Sequence, residues 1–358
     1  MTRWIALLGA LAVLATGCTT RSAGAFQPCQ VSAAPAAGEV TYVEGARLMA
    51  VGPDGQGRRC LADHVDVAPA WGARGDAGLA GPTRLVSAGR AAPTGFTPAD
   101  HVSLSPAGTS LLAVTRDGRL MKRPTAGGPA EDIGVINSYD AALYHPSGQA
   151  MVVAGYGDGE NASGGYGNYL ADTTGALQGT LAAAETSRHI DSLAWTDDGH
   201  LIFAGQHTDR WDLHSLDLAA GTITTLASTT APDQPISGVV TSPFAGGGIA
   251  WQEGTCAPGR PPLTKMRLAG QLLDLPGALA TAVPVGWLGD ATLVLLQRPG
   301  PCDAGIGKGA TASSAGDIYT VRGTTVTKVA TGATDATVRV VHPTPPPLPT
   351  NIPSDAPI

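Results

Sequence analysis

VSLSPAGTSLLAVTRDGRLMKRP, residues 102–124, reads as three short strands joined by two tight turns. Its apolar runs (Val102 and Leu104; Leu111, Leu112 and Val114; Leu120 and Met121) are too short for helices and fit strands. Between them stand Ser105-Pro-Ala-Gly108 and Arg116-Asp-Gly118. Proline presets one turn dihedral, glycine supplies a positive φ, and Asp-Gly is the pair that a tight hairpin favours. The stretch therefore predicts an antiparallel meander.

Looser copies recur along the chain, each with an anchor residue just before the turn. The anchors are Trp71, Leu104, Tyr144, Trp195, Thr241 and Trp287, spaced 33, 40, 51, 46 and 46 residues apart. A second hairpin follows most copies, starting at Gly118, Asn168, Trp211, Thr264 and Gly316. Four short strands in a period of about 40–50 residues are the signature of a β-propeller blade. One such sheet cannot bury both faces alone, and packing in a ring against its neighbours solves this. The expected fold is all-β, a propeller of four-stranded antiparallel blades. Counting the Trp71 copy gives seven blades; if residues 64–98 are an insertion, the number is six. Ala336–Val341 reads as a strand that pairs within the blade built from residues 39–62 and closes the ring through the two chain ends.

The order of apolar strand, Ser-Pro-Asp/Ala-Gly turn, second strand and hairpin resembles TolB-like or WD40-like propeller repeats over roughly residues 39–341. WTDDG at 195–199 and LSPAG at 104–108 come nearest to the family's turn, while the Trp71 and Trp287 copies depart from it. ARLMAVGPDGQGRRCLA, 46–62, is similar to the second hairpin of the repeat. That family includes periplasmic scaffolds and propeller domains attached to peptidases, so the resemblance implies a fold rather than one activity.

Residues 1–17 read as a signal peptide, with Arg3 as the basic start and an apolar stretch from Trp4 to Thr16. At 13 residues this stretch is shorter than the roughly 18 that a permanent span needs. It ends in Leu14-Ala-Thr-Gly-Cys18, which resembles a bacterial lipobox, with Ala15 in place of the usual branched residue. The resemblance implies cleavage before Cys18 and acylation of its thiol; an ordinary secretory peptide is the alternative. Lipidation would make the bilayer a partner and place the protein on the outer face of the cytoplasmic membrane. Residues 18–38 form the tether, 39–342 the propeller domain, and 343–358 a proline-rich tail expected to be extended and unfolded.

Without residues 1–17 the formal net charge is −8, with acids and bases scattered. No basic stripe exists for nucleic acid. Charged residues make up only 14% of the chain against 48 Gly and 28 Pro, a balance that suits a turn-dense β protein with an ample apolar core. With Cys18 assigned to lipid, Cys29, Cys60, Cys256 and Cys302 remain, an even number that suggests disulfides with three possible connectivities. Cys256 and Cys302 occupy equivalent loops of adjacent repeats, so Cys256–Cys302 is preferred, leaving Cys29–Cys60 to pin the tether. No two cysteines have the close spacing of a zinc half-site.

Catalytic motifs are missing. Neither G-x-S-x-G nor H-E-x-x-H occurs, and no phosphate loop precedes a helix. His200, His207 and His214 recur every seven residues, a spacing that carries meaning on a helix and none across strands and loops. Asp158-Gly-Glu-Asn161 offers oxygen ligands without the spacing of a calcium loop. Around it, Tyr156, Tyr166 and Tyr169 suggest an adaptable contact loop. No metal site and no cofactor are expected.

In a propeller, the segments that lead into the innermost strands open onto the central channel. Here they carry Asp100 and His101, Tyr139 and Asp140, Arg188, His189 and Asp191, and Asp233 and Gln234. Convergent polar groups at a channel mouth form a candidate binding site; the alternative is that each ties its own blade's turn. The first expectation for function is thus a membrane-anchored binding or scaffold module for another envelope protein or a small ligand. The second is a propeller enzyme of lactonase, lyase, glycosidase or quinone-dependent dehydrogenase type with its site at that mouth.

Overall fold

The computed structural model describes residues 29, 34–72, 77–80, 84–87, 90–96, 99–157, 165–182, 190–196, 199–242, 247–255, 262–289, 291–298, 315–340 and 348. They form seven four-stranded antiparallel sheets. From the innermost strand outwards, blade 1 is Asp335–Val338, Val40–Glu44, Arg47–Val51 and Arg59–Asp63. Blade 2 is Ala70–Trp71, Ala77–Ala80, Arg84–Ser87 and Arg90–Pro93. Blade 3 is Ala99–Leu104, Ser110–Thr115, Leu120–Pro124 and Glu131–Asp132. Blade 4 is Ser138–Tyr144, Ala150–Gly157, Gly165–Asp172 and Leu177–Ala182. Blade 5 is Ile190–Trp195, His200–Gln206, Trp211–Asp217 and Thr222–Ser228. Blade 6 is Ile236–Thr241, Ile249–Glu253, Leu263–Leu268 and Gln271–Asp274. Blade 7 is Val283–Leu288, Thr292–Gln297, Gly316–Arg322 and Thr325–Ala333. The first strands of successive sheets touch one another from blade 3 round to blade 2, and the first strand of blade 3 touches the second strand of blade 2. Among the described residues the single helical element is the 3-10 turn Gly277–Leu279, and no helix is long and apolar enough to cross a membrane.

Residues 64–98 are a blade rather than an insertion, although its strands are short. The ring closes as the chain ends suggest: Val40 pairs with Val338, Thr41 with Thr337, Tyr42 with Ala336 and Val43 with Asp335. The closing strand ends at Val338, earlier than expected, and two more backbone bonds continue the contact, from Arg339 N to Glu39 O and from Gly38 N to Arg339 O.

Local chemistry sets the turns. In blade 3, Ser105 Oγ accepts the N–H groups of Thr109 and Ser110, and Gly108 takes the left-handed φ of 72° that closes the turn. At the next hairpin Gly118 has φ 76° and its N–H returns to Thr115 O.

Each anchor residue leans on the preceding blade, and this explains why the anchors recur. Trp71 Nε1 donates to Thr41 Oγ1 at 3.0 Å, and the Leu104 side chain lies against Gly72. The Tyr144 hydroxyl meets Ser110 Oγ at 2.8 Å, and the Trp195 indole packs on the His145 imidazole. Thr241 Oγ1 donates to Trp195 O at 2.5 Å, and Trp287 Nε1 to Val240 O at 3.3 Å. The core is therefore distributed between blades. One cluster joins Val152 and Leu170 of blade 4 to Leu201 and Phe203 of blade 5; another joins Val40 and Tyr42 to Val294 and Ile318.

Cys29 and Cys60 form a disulfide that fastens the tether to the outer strand of blade 1, and Cys29 N donates to Asp63 Oδ2 at 2.8 Å. Cys18, Cys256 and Cys302 lie outside the described residues, as do residues 1–17. The proline-rich end departs from the expected free tail at one point. Leu348 is half-buried and packs on the apolar cluster shared by blades 4 and 5. Its side chain is one of three large aliphatic ones in residues 343–358, with Ile352 and Ile358, and burying it removes apolar area from water.

Candidate functional site at the channel mouth

The innermost strands of blades 3, 4 and 5 share an irregularity that places three aspartates alike. Pairing with the second strand passes from Ala99 to His101, from Tyr139 to Ala141, and from Ile190 to Ser192. Asp100, Asp140 and Asp191 are the residues skipped. Each stands four positions before its blade's anchor, Leu104, Tyr144 or Trp195. A bulge of this kind kinks the strand and re-aims the extra residue, which is why bulges recur beside functional sites. Asp140 is exposed between the buried Tyr139 and Ala141. Blades 6 and 7 slip at corresponding places, from Ser237 to Val240 and from Pro284 to Gly286, but across Gly238, Val239 and Val285. Acidic positions thus fall on one arc of the ring and apolar ones on the next.

The other candidates divide. Tyr139 is 3% exposed; its hydroxyl accepts the N–H groups of Val135 (2.6 Å) and Ile136 (3.1 Å), and burial raises its pKa. It ties the segment entering blade 4 and packs against blade 3, among Leu112, Val114 and Leu120. Asp233 and Gln234 are exposed in the connection before blade 6. Gln234 serves its own turn, accepting Thr230 Oγ1 at 3.2 Å and donating its N–H to Ala231 O. His101 follows the bulge in blade 3. Arg188 and His189 lie outside the described residues, as does Asp158–Asn161. The tyrosine loop is smaller than expected, because its strands run to Gly157 and from Gly165. Tyr169 is fully buried in the core, while Tyr156 remains exposed.

A cavity of about 260 Å³ lies at the opposite end of the blades, between turns of blades 3 and 4, lined by Ser105, Ser110, Lys122, Tyr144 and Ser147. Its polar groups are spent on structure: Ser110 on Tyr144, Ser147 on His145, and Lys122 Nζ on Thr173 O at 2.5 Å.

Sequence reasoning missed one constellation. His207, Asp212 and His214 bring their ligand atoms within 4.8 Å of one another on blade 5. Two of the three histidines in the seven-residue series do meet, with ring centroids 6.0 Å apart. The hairpin His200–Asp217 folds them together. The available signal was period-two spacing of Asp212 and His214 on a strand that returns from a turn beginning at His207.

These features define a seven-bladed β-propeller whose first blade is completed by both chain ends. Solved structures agree at the level of fold. The chain is similar to the tricorn protease, with a TM-score of 0.51 and 11% identity over 88% of this chain and 36% of that one. The chain is also similar to a TolB protein from Agrobacterium tumefaciens, with a TM-score of 0.45 and 17% identity over 68% of this chain and 84% of that one. Against TolB from Acinetobacter baumannii the values are 0.44 and 14%, over 80% of this chain and 61% of that one. No family model and no curated protein matches the sequence.

Proposed function

We propose that this protein is a non-enzymatic binding module outside the cytoplasmic membrane, held there by acylation of Cys18, whose partner docks at the channel mouth beside blades 3–5. The observation that carries the reading is the shared bulge at Asp100, Asp140 and Asp191 on three consecutive innermost strands. Three carboxylate-bearing positions on one arc favour a partner that presents basic groups, such as a cationic segment of another envelope protein. The enzyme reading asks for ligands converging on the ring axis. The one candidate ligand set that includes histidine among the described residues belongs to the second hairpin turn and third strand of blade 5, away from the innermost strands.

The test uses the full chain in its native membrane. A photo-cross-linking residue replaces Asp140, and a second variant carries it at Val326 on the exposed outer strand of blade 7. A discrete adduct from position 140 alone, weakened by Asp100→Asn with Asp191→Asn, is the expected result. No adduct at 140, or equal adducts at both positions, overturns the channel-mouth site. Retention of Cys18→Ser in the membrane fraction overturns the lipid anchor.

A further inference from the structure

We propose that His207, Asp212 and His214 form a site for a borderline divalent transition-metal ion such as Zn²⁺, on the face of blade 5 that packs against blade 4. His207 opens the turn between the second and third strands, with its N–H donated to Arg210 O at 2.8 Å. Gln206 pairs with Trp211 across that turn, so Asp212 is the second residue of the returning strand and His214 lies two further along. Side chains two apart on a strand share a face, and the turn brings His207 to the same place. Two imidazoles and a carboxylate are a ligand set that Zn²⁺ and its neighbours accept.

Three observations point to an occupant rather than to an ordinary polar tie. First, His207 Nε2 is 3.0 Å from Asp212 Oδ2 yet forms no hydrogen bond there, so the two atoms approach without pointing at each other. Second, His214 is 3% exposed and its Nε2 is buried without a partner among the described residues. Its Nδ1 lies 3.3 Å from Thr225 Oγ1, and the tautomer that donates Nδ1–H to that oxygen leaves the Nε2 lone pair free for a metal. Third, the facing blade holds another orphan. Asn168 is 1% exposed with Oδ1 buried and unpartnered. Its ladder neighbour Ala154 and His214's neighbour Phe203 belong to one apolar cluster, which sets both orphans on the same blade interface. Buried polar atoms are nearly always satisfied, so two orphans at one interface mark a place where something polar binds.

Arg210 limits the affinity. Its Nε donates to both carboxylate oxygens of Asp212, at 3.0 and 3.1 Å, orienting the carboxylate while opposing a second positive charge. Removing the guanidinium should tighten metal binding, whereas a site held only by hydrogen bonds and ion pairs would merely loosen.

The experiment takes the full-length chain with its disulfide intact, strips metal with a chelator, and titrates Co²⁺ and then Zn²⁺. The expected result is saturation at one equivalent, with visible d–d absorption for Co²⁺ and no thiolate charge-transfer band, which sets the site apart from the cysteines. His207→Ala, in the turn, and His214→Ala should each weaken binding more than about a hundredfold, beyond what loss of an outer partner commonly brings. Arg210→Ala should strengthen it. If His214→Ala fails to fold, His207→Ala with Arg210→Ala decides the matter. Absence of one-equivalent binding, a thiolate band, or unchanged affinity in His207→Ala overturns the proposal and leaves the channel-mouth reading untouched.

Discussion

The imidazole of His145 and the indole of Trp195 meet edge to face, 4.7 Å between centroids at 76°, joining the first turn of blade 4 to the innermost strand of blade 5. His145 has no exposed surface. Its Nδ1 accepts the Ser147 N–H at 3.1 Å and meets Ser147 Oγ at 2.8 Å, which puts the ring proton on Nε2. That proton finds no oxygen or nitrogen acceptor among the described residues. The turn thus uses a neutral histidine as an aromatic spacer between blades.

Burial pushes the His145 pKa down from 6.5 to about 4. The unfolded chain therefore binds more protons than the folded one between those values. The stabilisation is complete above pH 6.5 and drains away as pH falls towards 4, by an amount on the order of 3 kcal/mol. Urea unfolding of the parent and of His145→Asn between pH 7 and about 4.5 checks this, because the difference isolates His145 from the other titrating groups. The parent should lose stability faster than the variant as pH falls. Parallel curves would show that His145 is not buried as described.

The closing strand makes a second expectation. Val40 and Tyr42 are fully buried beneath Asp335–Val338, and Asp335 Oδ2 accepts the Ala68 N–H of the segment entering blade 2 at 2.8 Å. A chain ending after Val341 keeps this ladder and, among the described residues, loses only half-buried Leu348, which should cost about 1 kcal/mol. A chain ending after Thr334 opens the ring and uncovers the edge of blade 1. It should lose more than about 5 kcal/mol, comparable to the whole stability of many domains. Denaturant midpoints of the two truncations, measured beside the parent, give the comparison. Equal losses would mean that the ring does not depend on its closing strand.

How far the sequence carried can be judged from these same residues. The Ser105–Gly108 and Asp117–Gly118 turns were readable because proline, glycine and a side-chain oxygen act within a few positions. The anchors were readable as a period, though their leaning on the preceding blade emerges only in three dimensions. Bulges at Asp100, Asp140 and Asp191 are properties of a ladder between two strands, and one strand's sequence does not encode the slip. The glycines of 155–167 look like turn residues and make Tyr169 look like part of a loop, yet those at 155, 157, 165 and 167 lie within paired strands. His207 and His214 were set aside because seven is a helical spacing; a hairpin can bring together any two positions that straddle its turn.

The last expectation concerns Gly248 and Trp287. A Cβ at Gly248 would stand 2.2 Å from Trp287 Cη2 and 2.4 Å from Cζ2, distances that no real pair of carbons holds. Trp287 is 1% exposed and anchored by its bond to Val240 O, so the indole has little room to retreat. Gly248→Ala should therefore cost about 1–3 kcal/mol through overpacking. Trp287→Leu alone should cost several kcal/mol, because it leaves a cavity between blades 6 and 7. With the indole gone, the alanine methyl enters vacated space, so the double variant should be more stable than the sum of the two single losses implies. A double-mutant cycle from urea midpoints measures that coupling. Additive losses would mean that the glycine and the tryptophan do not share the contact, and that the anchor of blade 7 sits elsewhere.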